Sequence, residues 1–182
     1  MTPQPRSNHS MTTYIRTGAR LAAVTLLTAG VLGSTGAQAS ASPADTRTYS
    51  LDKRHCMTVV APAAAEATAS EVLSHGCYRT KKELDRAVSA DRAAEVRLSV
   101  WAEHANMAGI YDVIYGPAPC DGTGYWLTAS SWWKVRLSSF SNESGCNNSF
   151  LTGDRGNGTF GSHANWVGST LDNAVNRMRI WR

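Results

Sequence analysis

Residues 171–181 read Leu-Asp-Asn-Ala-Val-Asn-Arg-Met-Arg-Ile-Trp, and this stretch decides the fold. An acid and an amide, Asp172 and Asn173, stand before a run in which large apolar and charged residues alternate. Because successive side chains of a strand point to opposite faces, Met178 and Ile180 are expected in a core and the arginines beside them in solvent. The stretch therefore predicts a polar turn and a last strand on the outside of a sheet.

Similar runs recur through the second half of the chain. Residues 98–182 hold all six tryptophans, and short aromatic or β-branched runs alternate there with clusters of Gly, Asn, Asp and Ser. Strands separated by turn residues at a spacing of roughly ten residues are typical of an all-β sandwich. The predicted strands are 98–102, 111–115, 125–128, 135–140, 149–151 and 175–181.

Two pairs of stretches in this region share one order of features. Residues 101–109 and 150–158 each contain a strand candidate and end in glycine, whereas 134–140 and 172–180 each join a polar turn to a strand. A strand, a tight turn, a longer excursion and a polar turn thus occur twice. This order indicates a duplicated Greek-key motif.

The motifs resemble those of βγ-crystallin-type domains, which occur in small secreted bacterial proteins, including the microbial metalloprotease-inhibitor group. The first family signature is an aromatic residue followed by an aromatic–x–Gly corner. Gly109 is in place here, with Ala102 and Met107 where aromatics are usual. The second signature begins with an acid or amide pair, which Asp172 and Asn173 match.

The rest of the second signature is divided between the halves. The first half keeps the two hydroxyl residues, Ser138 and Ser139, but has Lys134 and Val135 in place of the acid and amide. The second half keeps the acid and amide but has residues 176–177, Asn and Arg, in place of the hydroxyls. The resemblance covers residues 98–182.

The resemblance implies weak calcium binding. Calcium takes about six to eight oxygen ligands, and crossing the two halves would combine Glu103 with Ser138 and Asp172. A second site would pair Asp154 with Lys134, whose ammonium group is no ligand. The alternative is that Asp172 and the amide after it only stabilise a turn through side-chain hydrogen bonds. No cofactor is required.

Residues 1–39 have the order of a secretory signal peptide. Three arginines precede the uncharged run 21–33, and Ala37-Gln38-Ala39 forms the cleavage signal. The apolar run is too short for a membrane span, which takes about 20 residues. Met1 and Met11 remain alternative starts. We therefore expect a secreted, extracellular protein of 182 − 39 = 143 residues, the size of one domain.

The signal peptide also explains most of the positive charge. It removes three of the 18 basic residues and none of the 14 acidic ones, so the mature charge is 15 − 14 = +1. The basic net charge that would favour a nucleic-acid partner is thus largely lost with the signal peptide, so no such partner is expected. We expect a monomer with no membrane span.

The four cysteines predict two disulfide bonds. An even number of cysteines in an exported protein is typical of disulfide bonding, and three pairings are open. Cys56–Cys77 and Cys120–Cys146 are preferred, because each pair lies within one segment of distinct composition. The zinc alternative lacks the spacing of known cysteine and histidine sites.

The fold class expected is α+β, mainly β, with a two-motif Greek-key sandwich after a small strand–helix segment. The segments are a signal peptide 1–39, a flexible lead-in 40–47, a strand–helix segment 48–97 and the βγ-crystallin-like sandwich 98–182. A strand is predicted at 57–60, and 62–70 is either a surface helix or a loop. Thr80 and Glu83 have the spacing of a capping box, which predicts a helix over 81–90. Whether the first segment packs on the sandwich stays open.

Two partners are considered for a non-enzymatic binding protein. The loop Pro117-Ala118-Pro119-Cys120 is stiffened by two prolines and a disulfide, so it could enter the cleft of an extracellular peptidase at a low ordering cost. Trp133 could instead stack on a cell-wall glycan, and Tyr125, Trp126 and Trp166 could extend its patch. A secreted hydrolase is the third hypothesis. The chain has no G-x-S-x-G motif, and its histidines are scattered, so we expect no enzyme activity.

Overall fold

A computed structural model describes residues 47–182. The expected signal peptide and nearly all of the lead-in lie outside the described residues. The strands are β1 His55–Val60, β2 Val72–Tyr78, β3 Val96–His104, β4 Ala108–Gly116, β5 Tyr125–Thr128, β6 Ser139–Asn142, β7 Asn148–Gly153, β8 Gly156–Phe160, β9 His163–Ala164 and β10 Val175–Trp181. The helices are α1 Lys81–Ala90 and α2 Ser131–Lys134, with a 3₁₀ turn at Ala105–Met107.

The described residues form a mainly β structure with two sheets. Sheet I has the strand order β2-β1-β4-β3-β6-β9, and sheet II has the order β5-β10-β7-β8. All pairings are antiparallel except that of β1 with β4, which is parallel. The mainly β class predicted from the sequence is therefore confirmed.

The two halves of residues 96–181 contribute strands to the sheets in the same way. In sheet I the order β4-β3-β6 is completed by β9 from the second half. In sheet II the order β8-β7-β10 is completed by β5 from the first half. Each half thus gives one short strand to the sheet of the other, so neither sheet is complete without both halves.

The core lies between the sheets, and both contribute to it. Sheet I supplies Leu98, Trp101 and Phe140, and sheet II supplies Leu151 and Met178, all at most 1% exposed. Burying a side chain of this size stabilises a fold by about 1.5–3 kcal/mol. The aromatic pair Trp101–Trp133 packs edge to face with 6.2 Å between ring centroids.

The segment before β3 belongs to sheet I. β1 pairs with β4 over His55–Val59, and β2 extends the sheet by pairing with β1. Helix α1 covers this end of the sheet, with Leu84 in a second core cluster beside Met57 and Val113. The sequence left open whether the first segment packs on the sandwich. It does, because β1 and β2 share a sheet with β3 and β4.

Helix α1 has the predicted bounds and the predicted capping box. Thr80 Oγ1 accepts a hydrogen bond from the Glu83 N–H at 3.2 Å, and Glu83 Oε2 accepts one from the Thr80 N–H at 3.3 Å. These bonds satisfy two donors that a helix start leaves unpaired. Residues 62–70 form a loop rather than a helix.

The strand predicted at 135–140 is wrong in its first part. Ser130 caps α2 by accepting the Trp133 N–H, and the N–H groups of Arg136 and Leu137 both bond to Trp133 O. Backbone groups committed to a helical turn cannot also join a sheet ladder, so β6 begins only at Ser139.

Both predicted disulfides are present. Cys56–Cys77 joins the neighbouring strands β1 and β2. Cys120–Cys146 joins the loop after β4 to the turn before β7. Bridges that close loops of these lengths typically stabilise a fold by about 3 kcal/mol. Among the described residues, no helix is long and apolar enough to cross a membrane.

Candidate functional site: the Trp166 cleft

Trp133 does not form a binding surface, which corrects the prediction made for it. The residue is fully buried at 0% exposure, where its ring packs against Trp101 and Tyr49. Stacking on a glycan would need an exposed ring. The residue instead lies on α2, which turns its ring into the core.

Trp166 is the exposed tryptophan of the aromatic set named from the sequence. Its side chain is 53% exposed, whereas Tyr125 is only 2% exposed. Its chain neighbours are fixed on both sides. Asn165 O accepts the Asn106 N–H at 2.8 Å, and the Val167 N–H donates to Ser138 O at 2.9 Å. An exposed indole on a fixed backbone is a preformed surface for a partner.

Trp166 lies on the rim of a cleft of about 780 Å³. Three parts of the chain line it: α2 with its C-terminal end, the β7–β8 turn, and the connection between β9 and β10. The lining residues are Ser131, Lys134, Val135, Asp154, Arg155, Trp166, Ser169, Asp172, Asn173 and Ala174. Specific small-molecule sites typically occupy about 300–1,000 Å³, so the cleft has the size of a ligand site.

The turn that carries Asp172 and Asn173 is held on both sides. The Asp172 N–H donates to Gly168 O at 2.8 Å, and the Asn173 N–H donates to Leu137 O at 3.1 Å. Asn173 has φ +55°, a left-handed conformation that Asn adopts more readily than most residues. Leu171, 2% exposed, anchors the turn in the core.

The polar groups of the cleft are only partly used within the protein. Asp172 Oδ2 accepts from Asn173 Nδ2 at 3.2 Å, while Asp172 Oδ1 is buried with no hydrogen-bond partner among the described residues. Arg155 donates to the main-chain oxygen of Asp172. Asp154 Oδ1 accepts from Asn176 Nδ2 at 2.5 Å. The cleft thus places carboxylates beside cationic and amide donors.

The cleft carries both signs of charge. Asp154 and Asp172 are matched by Lys134 and Arg155 along its lining. A ligand of strong single charge would meet repulsion from one of these pairs. A neutral ligand rich in hydroxyl groups can instead donate to the acids and accept from the bases.

The three residues expected to ligate calcium are held by different partners. Glu103 Oε1 lies 3.4 Å from Arg136 Nε, and its Oε2 accepts the Ile110 N–H at 3.3 Å. Ser138 Oγ donates to the main-chain oxygen of Arg136 at 3.4 Å. Asp172 lies in the cleft instead. Within residues 47–182 no three His, Cys, Asp or Glu side chains are grouped as metal ligands.

The proline loop is exposed and held at its base. Pro117 and Pro119 are both exposed, and Cys120 behind them is buried in its disulfide. The Tyr125 hydroxyl donates to Ala118 O at 2.7 Å, and the Cys120 N–H donates to Ser144 O at 3.0 Å. The geometry therefore agrees with a stiff, accessible loop.

A buried carboxylate outside the cleft was not anticipated. Asp112 on β4 is 1% exposed and accepts from the Tyr49 hydroxyl at 2.9 Å and from Thr58 Oγ1 at 2.8 Å. Burial raises the pKa of Asp112, and the charge of His75 opposes this shift only in part. An acid within the apolar run 110–114 was the available sequence signal. The partners of Asp112, Tyr49 and Thr58, are more than 50 residues away in the sequence, so sequence alone did not reveal them.

Sequence reasoning also missed the residues that complete the cleft. Arg155 and Asn173 were not assigned to a site with Trp166, because the β7–β8 turn and the β9–β10 connection meet only in the fold. The available signal was two short polar turns, Asp154-Arg155 and Asp172-Asn173, on either side of an isolated tryptophan. Comparison with family models, curated proteins and solved structures finds no match to this chain.

Proposed function

We propose that the chain is a secreted, non-enzymatic binding protein of the βγ-crystallin type that binds a cell-wall glycan in the Trp166 cleft. The observation that carries this proposal is the exposed Trp166 ring in one cleft with the Asp172 carboxylate and the Arg155 guanidinium group. Sugar recognition combines these two elements: an aromatic face for the ring carbons and hydrogen-bonding groups for the hydroxyls.

The strand order supports the family interpretation. A duplicated Greek key of crystallin type exchanges one strand between its sheets, and β5 and β9 are placed in that manner. Gly109, the glycine of the first corner motif, has φ +87°. Few residues other than glycine adopt this value without strain. The expected Asp172-Asn173 turn directly precedes β10.

The disulfides support export. Disulfides persist in oxidising compartments and are rare in a reducing cytosol. Cys56–Cys77 and Cys120–Cys146 use all four cysteines of the chain. Together with the signal peptide expected at 1–39, they favour an extracellular location, where cell-wall glycans are accessible.

Retention on insoluble glycans tests the proposal. The purified protein is mixed with peptidoglycan, chitin and cellulose, and the bound fraction is measured before and after washing. We expect retention on at least one of them and its loss in Trp166→Ala. Leu73→Ala, which removes an exposed apolar side chain of β2 outside the cleft and outside sheet II, should leave retention unchanged.

Two outcomes of this experiment would contradict the proposal. One is that the wild-type protein is retained on none of the three glycans. The other is that Trp166→Ala and Leu73→Ala reduce retention equally, because a general loss of exposed apolar surface would then account for the result. Melting temperatures of both variants show whether each is folded.

The second candidate function is inhibition of an extracellular peptidase. It is favoured by the loop at Pro117–Pro119, which is exposed and anchored by the Tyr125 hydroxyl and a disulfide. A preordered loop enters a peptidase cleft with little loss of conformational entropy. Secreted metallo- and serine peptidases are assayed at micromolar protein, with a Pro117→Gly, Pro119→Gly variant as the control. No slowing by the wild-type protein would refute this function.

Weak calcium binding by Glu103, Ser138 and Asp172 remains a prediction. Arg136 already neutralises Glu103, so calcium would have to displace a guanidinium group. We therefore place calcium below glycan and peptidase as a ligand.

A further inference from the structure

The outer face of sheet II presents arginines among aromatic rings. Met178 and Ile180 of β10 are fully buried, so the alternate residues Arg177 and Arg179 point away from the core. Arg179 is the register partner of Trp126 on β5 and of Phe150 on β7. Other outward side chains of this face are Asn148, Thr152, Asn157, Thr159 and Trp181.

The two guanidinium groups are held in place by rings and carbonyls. Arg179 Cζ lies 5.8 Å from the Trp126 ring centroid and 5.0 Å from that of Trp181. Arg177 Cζ lies 5.7 Å from the Trp126 centroid. Arg177 also donates to Thr68 O, and Arg179 donates to the carbonyls of residues 122 and 123. These contacts reduce the entropy that the arginines lose on binding a ligand.

The four strands of sheet II contain two arginines and no Asp or Glu. Arg179 Nε is buried with no hydrogen-bond partner within residues 47–182. Asp121, in the loop before β5, uses its carboxylate to accept the N–H groups of Thr123 and Gly124. A guanidinium group has five donors and matches a carboxylate with two parallel bonds, so charge complementarity favours a carboxylate ligand.

We propose that this face binds a linear polysaccharide that carries carboxylate groups, a polyuronate. Arg177 and Arg179 would hold its carboxylates, and the Asn and Thr side chains of β7 and β8 would bond its hydroxyls. The exposed edges of Trp126 and Trp181 would contact its ring carbons.

The backbone of the sheet favours a polysaccharide over an extended peptide. β10 pairs with β5 on one side and β7 on the other, so its ladder groups are already used. A peptide lying on this face would find no backbone partners for its own N–H and C=O groups. A polysaccharide has no such requirement, because side chains satisfy its hydroxyls and carboxylates. The proposal is independent of the Trp166 cleft, which lies at a different set of residues.

Binding to polygalacturonate tests the proposal by calorimetry at low and moderate salt. Arg177→Ala, Arg179→Ala should weaken binding about tenfold or more, because each charged hydrogen bond is worth about one factor of ten. Arg86→Ala, which removes one exposed positive charge of α1 outside both surfaces, should change it less than about twofold. The affinity of Arg177→Lys, Arg179→Lys should lie between those of the wild type and the double alanine variant, because lysine keeps the charge but lacks the paired donors.

Neutral dextran, polyglutamate and polyphosphate at matched concentration separate the sources of binding. The proposal expects polygalacturonate to bind at least about tenfold more tightly than each of them. Equal binding to polyglutamate or polyphosphate would overturn it, because charge alone would then suffice. Unchanged binding in the folded Arg177→Ala, Arg179→Ala variant would also overturn it. Loss of polygalacturonate binding in Trp166→Ala would also overturn it, because the polyanion would then bind in the cleft. A wild-type protein that is not retained on neutral glycans would refute only the function proposed above.

Discussion

The first hairpin of each half carries an acid near its turn, yet the two hairpins differ in what surrounds that acid. In the β3–β4 hairpin, the Glu103 side chain is only 17% exposed. It pairs with Arg136 and accepts the Ile110 N–H. In the β7–β8 hairpin, Asp154 lies exposed on the edge of an open cleft and is bonded to Asn176.

The two hairpins therefore differ in role: one uses its acid to stabilise the fold, and the other leaves its acid accessible for binding. The closed hairpin places its charge against an internal cation, which leaves little for a ligand. The open hairpin keeps Asp154 and Arg155 exposed on the cleft that also contains Trp166. Its charged groups are therefore accessible to a partner, whereas the acid of the closed hairpin is used within the fold.

The largest expected effect is on the free energy of unfolding, and it concerns Leu171 beside the β7–β8 hairpin. Leu171 fixes the Asp172 turn in the core, and its side chain lies against Gly153 and Gly158 of the hairpin. Leu171→Ala should lower the free energy of unfolding by about 2–5 kcal/mol, because it leaves a cavity. Urea denaturation measures the change, with the exposed Val135→Ala as a control that should change it by less than about 0.5 kcal/mol. A loss below about 1 kcal/mol for Leu171→Ala would show that the turn is held by its backbone bonds alone.

The second prediction compares the two acids directly. Glu103→Ala leaves the partly buried Arg136 without its anion and should cost about 2 kcal/mol. Asp154→Ala removes one exposed hydrogen bond and should cost less than about 1 kcal/mol. Both are measured by urea denaturation at neutral pH. Equal losses of unfolding free energy in the two variants would contradict the distinction between a closed and an open hairpin.

The third prediction uses a buried acid that the β3–β4 hairpin has and the β7–β8 hairpin lacks. Because burial raises the pKa of Asp112, the native state binds more protons than the unfolded state above the ordinary aspartate pKa of about 4. The stability contribution is therefore present at low pH and is lost as pH rises, by at most about 1.4 kcal/mol per pH unit.

Asp112→Asn should remove this dependence. Between pH 4 and 6, below most histidine titration, the unfolding free energy of the wild type should fall relative to that of the variant as the pH rises. Asp154→Asn serves as the control and should stay parallel to the wild type. A difference that grows in the opposite direction would mean that His75 and Arg47 hold Asp112 ionised in the fold.

The smallest expected effect is that of calcium. Since Arg136 competes for Glu103, millimolar calcium should stabilise the wild type by about 0.4 kcal/mol or less, the value for a ligand at its dissociation constant. Arg136→Ala frees the carboxylate and should show a larger rise in melting temperature, reversed by EDTA. A wild-type rise above about 5 °C would correspond to more than 1 kcal/mol and would show that the ion pair does not block the site.

Local signals in the sequence predicted the elements whose structure is set locally. The capping box predicted helix α1, and regular alternation predicted β5 and β10 with their observed bounds. The composition boundary between segments predicted both disulfides. In each case the deciding contacts lie within the element or between residues of one segment.

Elements decided by distant contacts were not predictable in this way. β8 is rich in glycine, a poor strand former, and owes its conformation to pairing with β7. β10 was expected at the edge of a sheet but lies between β5 and β7, because the first half supplies β5 to this sheet. For the same reason Trp133 and Trp166, similar in sequence context, differ completely in exposure.

The most direct test of the Trp166 cleft as a binding site is a titration followed by ¹H–¹⁵N NMR. Labelled protein is titrated with soluble chito-oligosaccharide, cello-oligosaccharide and muropeptide, and the Trp166 signal is assigned from the Trp166→Ala spectrum. We predict saturable shifts of the Trp166 indole N–H and of the Asp172 and Asn173 amides, with the Trp181 indole unaffected. The absence of shifts with all three sugars, or shifts confined to the loop at residues 117–119, would contradict the account.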